Sequence, residues 1–176
     1  MIYTPREDSF LLEGEIKKLA KNKSVLDMGT GSGIQAKAAV KAGAKSVLAA
    51  DINEEAIILL KKQGINAIKS NLFQKIKGKF DIITFNPPYL PEEKQEDKES
   101  ALATTGGKRG DEIILKFLKQ AKPHLEQKGI ILLVISSLTP KDKIIKLLEK
   151  QSLKHKVLSS EKFFFETLEL WEIKNK

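Results

Sequence analysis

The chain has 176 residues, no cysteine and a formal net charge of +8. That length suits one domain, residues 1–176, with a substantial core, and the lack of thiols excludes a disulfide framework, a thiolate metal site and a cysteine nucleophile. No apolar run approaches membrane-spanning length, and Met1 to Phe10 carries charges and proline where a signal peptide would be apolar, so a cytoplasmic protein without a membrane partner is expected. The basic residues are spread along the chain. That favours a solvated surface rich in lysine and glutamate, with a nucleic-acid partner as the second reading.

In chain order, Ile2-Tyr3-Thr4-Pro5-Arg6 leads into a helix that Asp8 or Ser9 can cap. Leu12, Ile16, Leu19 and Ala20 give this helix one apolar face. Ser24-Val25-Leu26-Asp27-Met28 reads as a strand, Gly29-Thr30-Gly31-Ser32-Gly33 as a glycine-rich turn, and residues 34–42 as a helix stopped by Gly43. Strand, glycine turn and helix make the nucleotide-binding start of a doubly wound sheet. The spacing G-x-G-x-G, led by Asp27, departs from the dinucleotide fingerprint G-x-G-x-x-G. A pyrophosphate beside that carboxylate is disfavoured, whereas Asp27 can receive an ammonium group, which favours S-adenosylmethionine over a nicotinamide dinucleotide.

Ser46-Val47-Leu48-Ala49-Ala50-Asp51 is a second strand. Asp51 lies about twenty residues past the glycine turn, where a ribose-binding carboxylate belongs. Residues 53–63 form a helix capped by Asn53 and stopped by Gly64. Ile65-Asn66-Ala67-Ile68 is a short third strand, followed by Ser70-Asn71-Leu72-Phe73. Asn71, at another strand end, can bond an adenine amino group, with Leu72 packing on the ring; an ordinary turn is the alternative.

Phe80-Asp81-Ile82-Ile83-Thr84-Phe85 is a buried fourth strand, and Asn86-Pro87-Pro88-Tyr89 follows it. Pro88 has no N–H and Pro87 holds Asn86 extended. The Asn86 side-chain oxygen and the Pro87 carbonyl can therefore hold both hydrogens of a planar –NH2 group, with Tyr89 stacked on it. Such a nitrogen is a poor nucleophile because its lone pair is delocalised; two acceptors on its hydrogens raise its electron density and aim the lone pair. A Pro-Pro turn capped by Asn is the alternative. The polar stretch 90–111 reads as a substrate-facing lid, mobile by default.

Asp111 is expected to cap a helix running to about Leu125, with Ile113, Ile114, Phe117, Leu118 and Ala121 inward. Residues 130–135 form a continuous apolar strand for the sheet centre, Pro140 opens a helix to Lys150 with Ile144, Ile145, Leu147 and Leu148 buried, and residues 154–160 and 167–173 are closing strands. Phe163-Phe164-Phe165, between those strands, suits core or partner surface better than a cofactor site. His124 and His155 read as surface residues without metal ligands beside them. The alternation predicts an α/β fold: a Rossmann-like seven-stranded, mostly parallel sheet flanked by helices, its last strand antiparallel. Asp27, Gly29, Gly31, Asp51, Asn71 and Asn86 would all fall at carboxyl strand ends, where such sheets bind ligands.

Asp27-Met28-Gly29-Thr30-Gly31-Ser32-Gly33, Asp51 and Asn86-Pro87-Pro88-Tyr89 together resemble class I S-adenosylmethionine-dependent N-methyltransferases. The opening Tyr3-x-Pro5-x-Glu7-Asp8-Ser9-Phe10-Leu11-Leu12, with Gly106-Gly107 and Gly110, is similar to the HemK-related class I release factor glutamine N5-methyltransferases in their short archaeal and eukaryotic form. The resemblance implies methyl transfer to the glutamine amide in the Gly-Gly-Gln motif of a class I peptide release factor. It implies that Asp8 and Ser9 close over the cofactor, that Asp27, Gly29 and Gly31 border its methionine part, Asp51 its ribose, and Asn71 with Leu72 its adenine. Asn71 departs from the Asp common there. Asn86, which also borders the cofactor, Pro87 and Tyr89 would hold the accepting amide. The resemblance further implies a small zinc-binding methyltransferase activator protein, docking on the sheet edge near Ile65 to Ile68. The Asn-Pro-Pro-Tyr motif is shared with enzymes methylating adenine N6 or guanine N2 in DNA or RNA, and lysine methylation occurs on the same fold. No target-recognition domain for nucleic acid fits in the chain.

Overall fold

A helix, α1 (Glu7–Leu19), opens the computed structural model, which describes residues 7–88 and 107–176. Its acidic first turn, Glu7 and Asp8, and its basic last turn, Lys17 and Lys18, both suit the helix dipole. Leu12, Ile16 and Ala20 are fully buried, as their spacing predicts, while Leu19 is only partly covered. Then follow β1 (Ser24–Met28), α2 (Ile34–Lys41), β2 (Ser46–Asp51), α3 (Glu54–Lys62), β3 (Ala67–Lys69) and β4 (Phe80–Phe85). After the second described stretch begins come α4 (Glu112–Ala121), β5 (Leu125–Ser136), α5 (Asp142–Lys150), β6 (Leu153–Lys162) and β7 (Thr167–Asn175).

The seven strands form one sheet in the order β3-β2-β1-β4-β5-β7-β6. β7 runs antiparallel to both neighbours, and the other pairs from β3 through β5 are parallel. Side chains alternate between the faces. Leu132 and Val134 of β5 meet Leu12, Ile16, Ala38 and Ala39 of α1 and α2. Ile131, Leu133 and Ile135, one residue out of phase, meet Ile114, Phe117, Leu118, Ile144 and Leu148 of α4 and α5. Each fully buried Leu, Ile or Phe contributes about 1.5–3 kcal/mol against exposure, so the two clusters fix which face of the sheet each helix covers. Ser24 clamps the starts of two adjacent strands: its N–H and hydroxyl both donate to Asp81, at 2.8 and 2.9 Å.

Several elements differ from the sequence expectation. β3 covers residues 67–69 rather than 65–68, and Ile65 packs with Ile57 and Leu60 under α3 instead. β3 does lie at the sheet edge. α4 ends at Ala121, and a 3-10 turn, Lys122–His124, carries the chain into β5 at Leu125, well before the expected Ile130. Pro123 explains the early stop, because it has no N–H to continue the helical hydrogen bonds, while Lys122 before it still holds helical angles, φ −56° and ψ −43°. Asp111 makes no capping bond, and it is Glu112 whose carboxylate accepts from the Arg109 N–H, at 3.1 and 3.2 Å. α5 begins at Asp142, after Pro140 and Lys141. His124 and His155 are both partly covered: His124 stacks on Phe73 with centroids 4.8 Å apart, and His155 on buried Trp171 at 4.0 Å. Phe164 and Phe165 belong to the surface, not the core. Of the expected lid, residues 90–111, residues 90–106 lie outside the described residues.

Candidate active site

Four adjacent strands, β3, β2, β1 and β4, deliver the candidate residues to one rim of the sheet. Asp51 ends β2, Asn71 follows β3 by two residues, the glycine turn follows β1, and Asn86 follows β4 directly. Met28 pairs with both Ala50 and Phe85, so Asp51, Gly29 and Asn86 leave the sheet at the same level. With strands about 4.8 Å apart, the crevice from Asn71 to Asn86 is about 14 Å wide.

The glycine turn is left-handed at three places, with φ of 63° at Gly29, 51° at Gly31 and 77° at Gly33. At Gly33 a side chain would also have no room: an added Cβ would meet a Leu60 methyl at 2.2 Å. The turn is held from beneath by Asp27, which is 2% exposed. One Asp27 oxygen accepts from the Thr84 hydroxyl at 2.9 Å; the other accepts from the Thr30 hydroxyl at 2.6 Å and from the Ala36 N–H, in the first turn of α2, at 3.1 Å. Burial pushes the Asp27 carboxyl up to about 6, against the pull of these three donors; the negative charge of Asp51 adds to the rise. Both oxygens are thus engaged with the chain's own donors. Three of the about four lone-pair positions of Asp27 are taken in this way, and Asp27 shapes the turn that a ligand would meet.

Asp51 is half-buried, and each of its oxygens accepts one backbone N–H, from Gly31 and from Asn53, both at 2.8 Å. A carboxylate has about four lone-pair positions, so the remaining ones can accept from a diol. Asn53 also caps α3 by accepting from the Glu55 N–H. Asn71 is exposed, and Leu72 takes a left-handed φ of 48° while its carbonyl accepts from the Ser70 hydroxyl. This is a built turn that presents Asn71 and half-buried Leu72 at the end of the crevice.

The other end is organised around Asn86. Its Nδ2 donates to Asp8 Oδ2 at 3.0 Å. Its Oδ1 is buried and has no hydrogen-bond partner among the described residues. Asp8 and Ser9 are 4% and 3% exposed, so the first turn of α1 sits down onto the β4 end. Gln35, in the first turn of α2, donates through Nε2 to the Ser9 carbonyl at 2.8 Å. Gln35 is itself 4% exposed, and its Oε1 also lacks a partner among the described residues. Gln35, Ser9, Asp8 and Asn86 therefore link the helix after the glycine turn to the end of β4. Pro87 is buried and Pro88 half-buried; Tyr89 lies outside the described residues.

Sequence reasoning missed Gln35. A signal was present: Gln35, Ala38, Ala39 and Ala42 share one face at helical spacing, and Gln35 is the polar intruder. It also missed Thr30 and Thr84, whose hydroxyls serve Asp27.

The arrangement fits a nucleoside bearing a cationic amino-acid arm. Left-handed glycines let a ligand approach the backbone at one N-terminal helix end. Asp51 retains acceptor capacity for ribose hydroxyls, and two orphaned buried oxygens, on Gln35 and Asn86, await donors. Among the described residues no three His, Asp or Glu groups cluster as metal ligands, and no helix is long and apolar enough to cross a membrane.

A family model described as methyltransferase small domain matches residues 8–165. A Methanocaldococcus jannaschii protein named as a protein N5-glutamine methyltransferase is 38% identical over 177 residues, covering 95% of this chain and 88% of its own. A release factor glutamine methyltransferase of Borreliella burgdorferi is 35% identical over 149 residues, covering 75% of this chain; the match spans 52% of that longer protein. Among solved structures, the E. cuniculi Mtq2–Trm112 complex, described as methylating the translation termination factor eRF1, matches with a TM-score of 0.81 over 99% of both chains. At 24% identity that likeness shows the fold.

Proposed function

We propose, on the premise that this chain belongs to the methyltransferase small domain family, that it moves a methyl group from S-adenosylmethionine to the side-chain amide nitrogen of glutamine in the Gly-Gly-Gln loop of a class I peptide release factor. The observation that carries this reading is the buried Asn86 Oδ1, without a partner among the described residues and held in place by the bond from Nδ2 to Asp8. A buried amide oxygen left unpaired costs about 1–3 kcal/mol. An arriving –NH2 group removes that cost, and it does so only in the bound state.

Bound S-adenosylmethionine supplies an electrophilic methyl carbon on a positively charged sulfur. The glycine turn at Gly29 and Gly31 would border its amino-acid arm, Asp51 its ribose and the turn at Asn71 and Leu72 its adenine, with Asp8 and Ser9 closing the crevice. Asn86 Oδ1 accepts one N–H of the glutamine amide, and the Pro87 carbonyl accepts the other. Drawing density from both hydrogens toward nitrogen strengthens the lone pair and turns it toward the methyl carbon. Tyr89 is assigned the stacking role on the amide plane. As the N–C bond formed, the sulfur–carbon bond would break and leave a neutral thioether. One N–H proton, held until then by the Asn86 or Pro87 oxygen, would pass to solvent after transfer, so no base need act beforehand. Positioning can supply about 7–11 kcal/mol of the barrier.

A small zinc-binding activator protein is assigned to the β3 edge. β3 has three residues and one paired side, and Ile52 and Ile58 nearby are 59% and 49% exposed. An added strand would pair that edge and cover apolar surface. A translation-factor substrate places the work in the cytoplasm.

The test is transfer of labelled methyl to a purified class I release factor, with and without the activator, beside DNA, RNA and a release factor whose Gly-Gly-Gln glutamine is replaced. Label is expected only in the intact motif, and lost with Asn86→Ala while cofactor binding persists. Label in nucleic acid, or undiminished turnover by Asn86→Ala, overturns the reading.

A further inference from the structure

The turn joining β6 to β7 carries two aromatic rings into solvent. Phe164 and Phe165 are 92% and 84% exposed and rest edge-on against each other with centroids 4.7 Å apart. Hairpin turns favour Gly, Asn and Asp for conformational reasons, and nothing in this turn's backbone calls for phenylalanine. Its base is nonetheless firmly built. The Phe163 N–H donates to the Glu166 carbonyl at 2.7 Å, the Ser136 hydroxyl to Glu166 Oε2 at 2.5 Å, the Ser137 N–H to the Thr167 carbonyl at 2.8 Å and the Thr167 N–H to Ser137 Oγ at 2.9 Å. A fixed turn displaying two bare rings is a surface held ready for a partner.

Its position says which partner. Phe85 pairs with Leu133, Leu133 with Trp171, and Ser136 with Leu168. The turn therefore rises from the same rim as Asn86. Three residues beyond that level add about 10 Å of height, and two to three strand spacings add about 10–15 Å sideways. Leu138, 47% exposed, lies at the same rim beside Ser137. An ordinary protein–protein contact patch is about 800 Å² per partner, hence about 30 Å across. A folded body whose loop enters the crevice would cover the two rings; a short peptide filling the crevice would not reach them.

We infer that Phe164 and Phe165 form a docking point for the folded body of the protein substrate, apart from the crevice that takes its glutamine loop. This rests on the proposed activity, and it gives whole-protein substrates an affinity that isolated peptides lack. The test compares wild type with Phe164→Ser/Phe165→Ser, whose exposed positions spare the core. The substrates are an intact class I release factor and a synthetic peptide of about seven residues centred on the glutamine of its Gly-Gly-Gln motif, which reaches only about 10 Å to either side. Loss of two contact-centre aromatics typically weakens binding at least about 10-fold. The expected result is a KM for intact factor raised at least about 10-fold at unchanged kcat, with peptide kinetics and calorimetric cofactor affinity unchanged. Equal KM for intact factor in both proteins overturns the inference and leaves the activity standing, as does a matching loss with the peptide. A wild-type dimer that becomes monomeric in the variant also overturns it, giving the rings to a second copy. A wild type inert toward both substrates overturns the activity and the inference together.

Discussion

Asn86 Nδ2 and Asp8 Oδ2 lie 3.0 Å apart, across 78 residues of sequence. A carboxylate only accepts, so this contact decides which way the Asn86 amide points and leaves Oδ1 for a ligand. With Asp8→Asn the neighbour can donate or accept, and the amide can turn over. The expected outcome is a kcat lower by about 10- to 100-fold, equivalent to about 1.4–2.8 kcal/mol, measured at saturating cofactor. A kcat within a factor of two of wild type would show that Asn86 needs no such guide.

Gln35 holds the first turn of α1 through the Ser9 carbonyl. Gln35→Leu keeps the volume and removes the tie. Hydrogen exchange in residues 8–12 should quicken, and calorimetric affinity for the cofactor should fall about 10-fold, equivalent to about 1.4 kcal/mol. Unchanged exchange would mean that apolar packing alone seats α1.

Gly33 tests the turn itself. Gly33→Ala must carry a left-handed φ, costing about 1–2 kcal/mol, and must displace Leu60, which is fully buried. Urea unfolding should show a loss of about 2–4 kcal/mol in total. Leu60→Ala opens a cavity in the wild-type background but makes room for the new Cβ, so the double variant should lose less than the sum of the two singles. Strict additivity would place the clash elsewhere.

Asp27 gives stability a pH dependence of definite sign. Its carboxyl is raised from 3.8 to about 6 in the folded chain. Below 3.8 both states hold the proton. Between 3.8 and about 6 the unfolded chain releases it first, so rising pH through this window weakens the fold by about 3 kcal/mol from this residue alone. Asp27→Asn, uncharged throughout, lacks that loss. Unfolding free energies at pH 4 and pH 7 should show the variant gaining on wild type by up to about 3 kcal/mol. A constant difference between the two proteins would mean that Asp27 keeps an ordinary carboxyl.

Much of the sheet was legible because its signals are local. β1, β2 and β4 are apolar runs bounded by turn residues, and they fold with the limits those boundaries suggest. The glycine turn and Asp51 were legible for the same reason. Pro123, which ends α4, is a signal of the same local kind. The joining of Asp8 to Asn86 and of Gln35 to Ser9 was not legible, because such contacts depend on how α1 settles across the β4 end. The inward turn of Asp27 was hidden too: Thr84, whose hydroxyl donates to it, lies 57 residues further along the chain.

Asp51 ties the Gly31 and Asn53 amides together with its two oxygens. Substituting it would loosen both loops and remove the diol acceptor at once, so a lost signal in such a variant would have two causes. Cofactor analogues lacking the 2′- or the 3′-hydroxyl, titrated against the unaltered chain, separate them: the scaffold stays whole, and only the sugar contact changes.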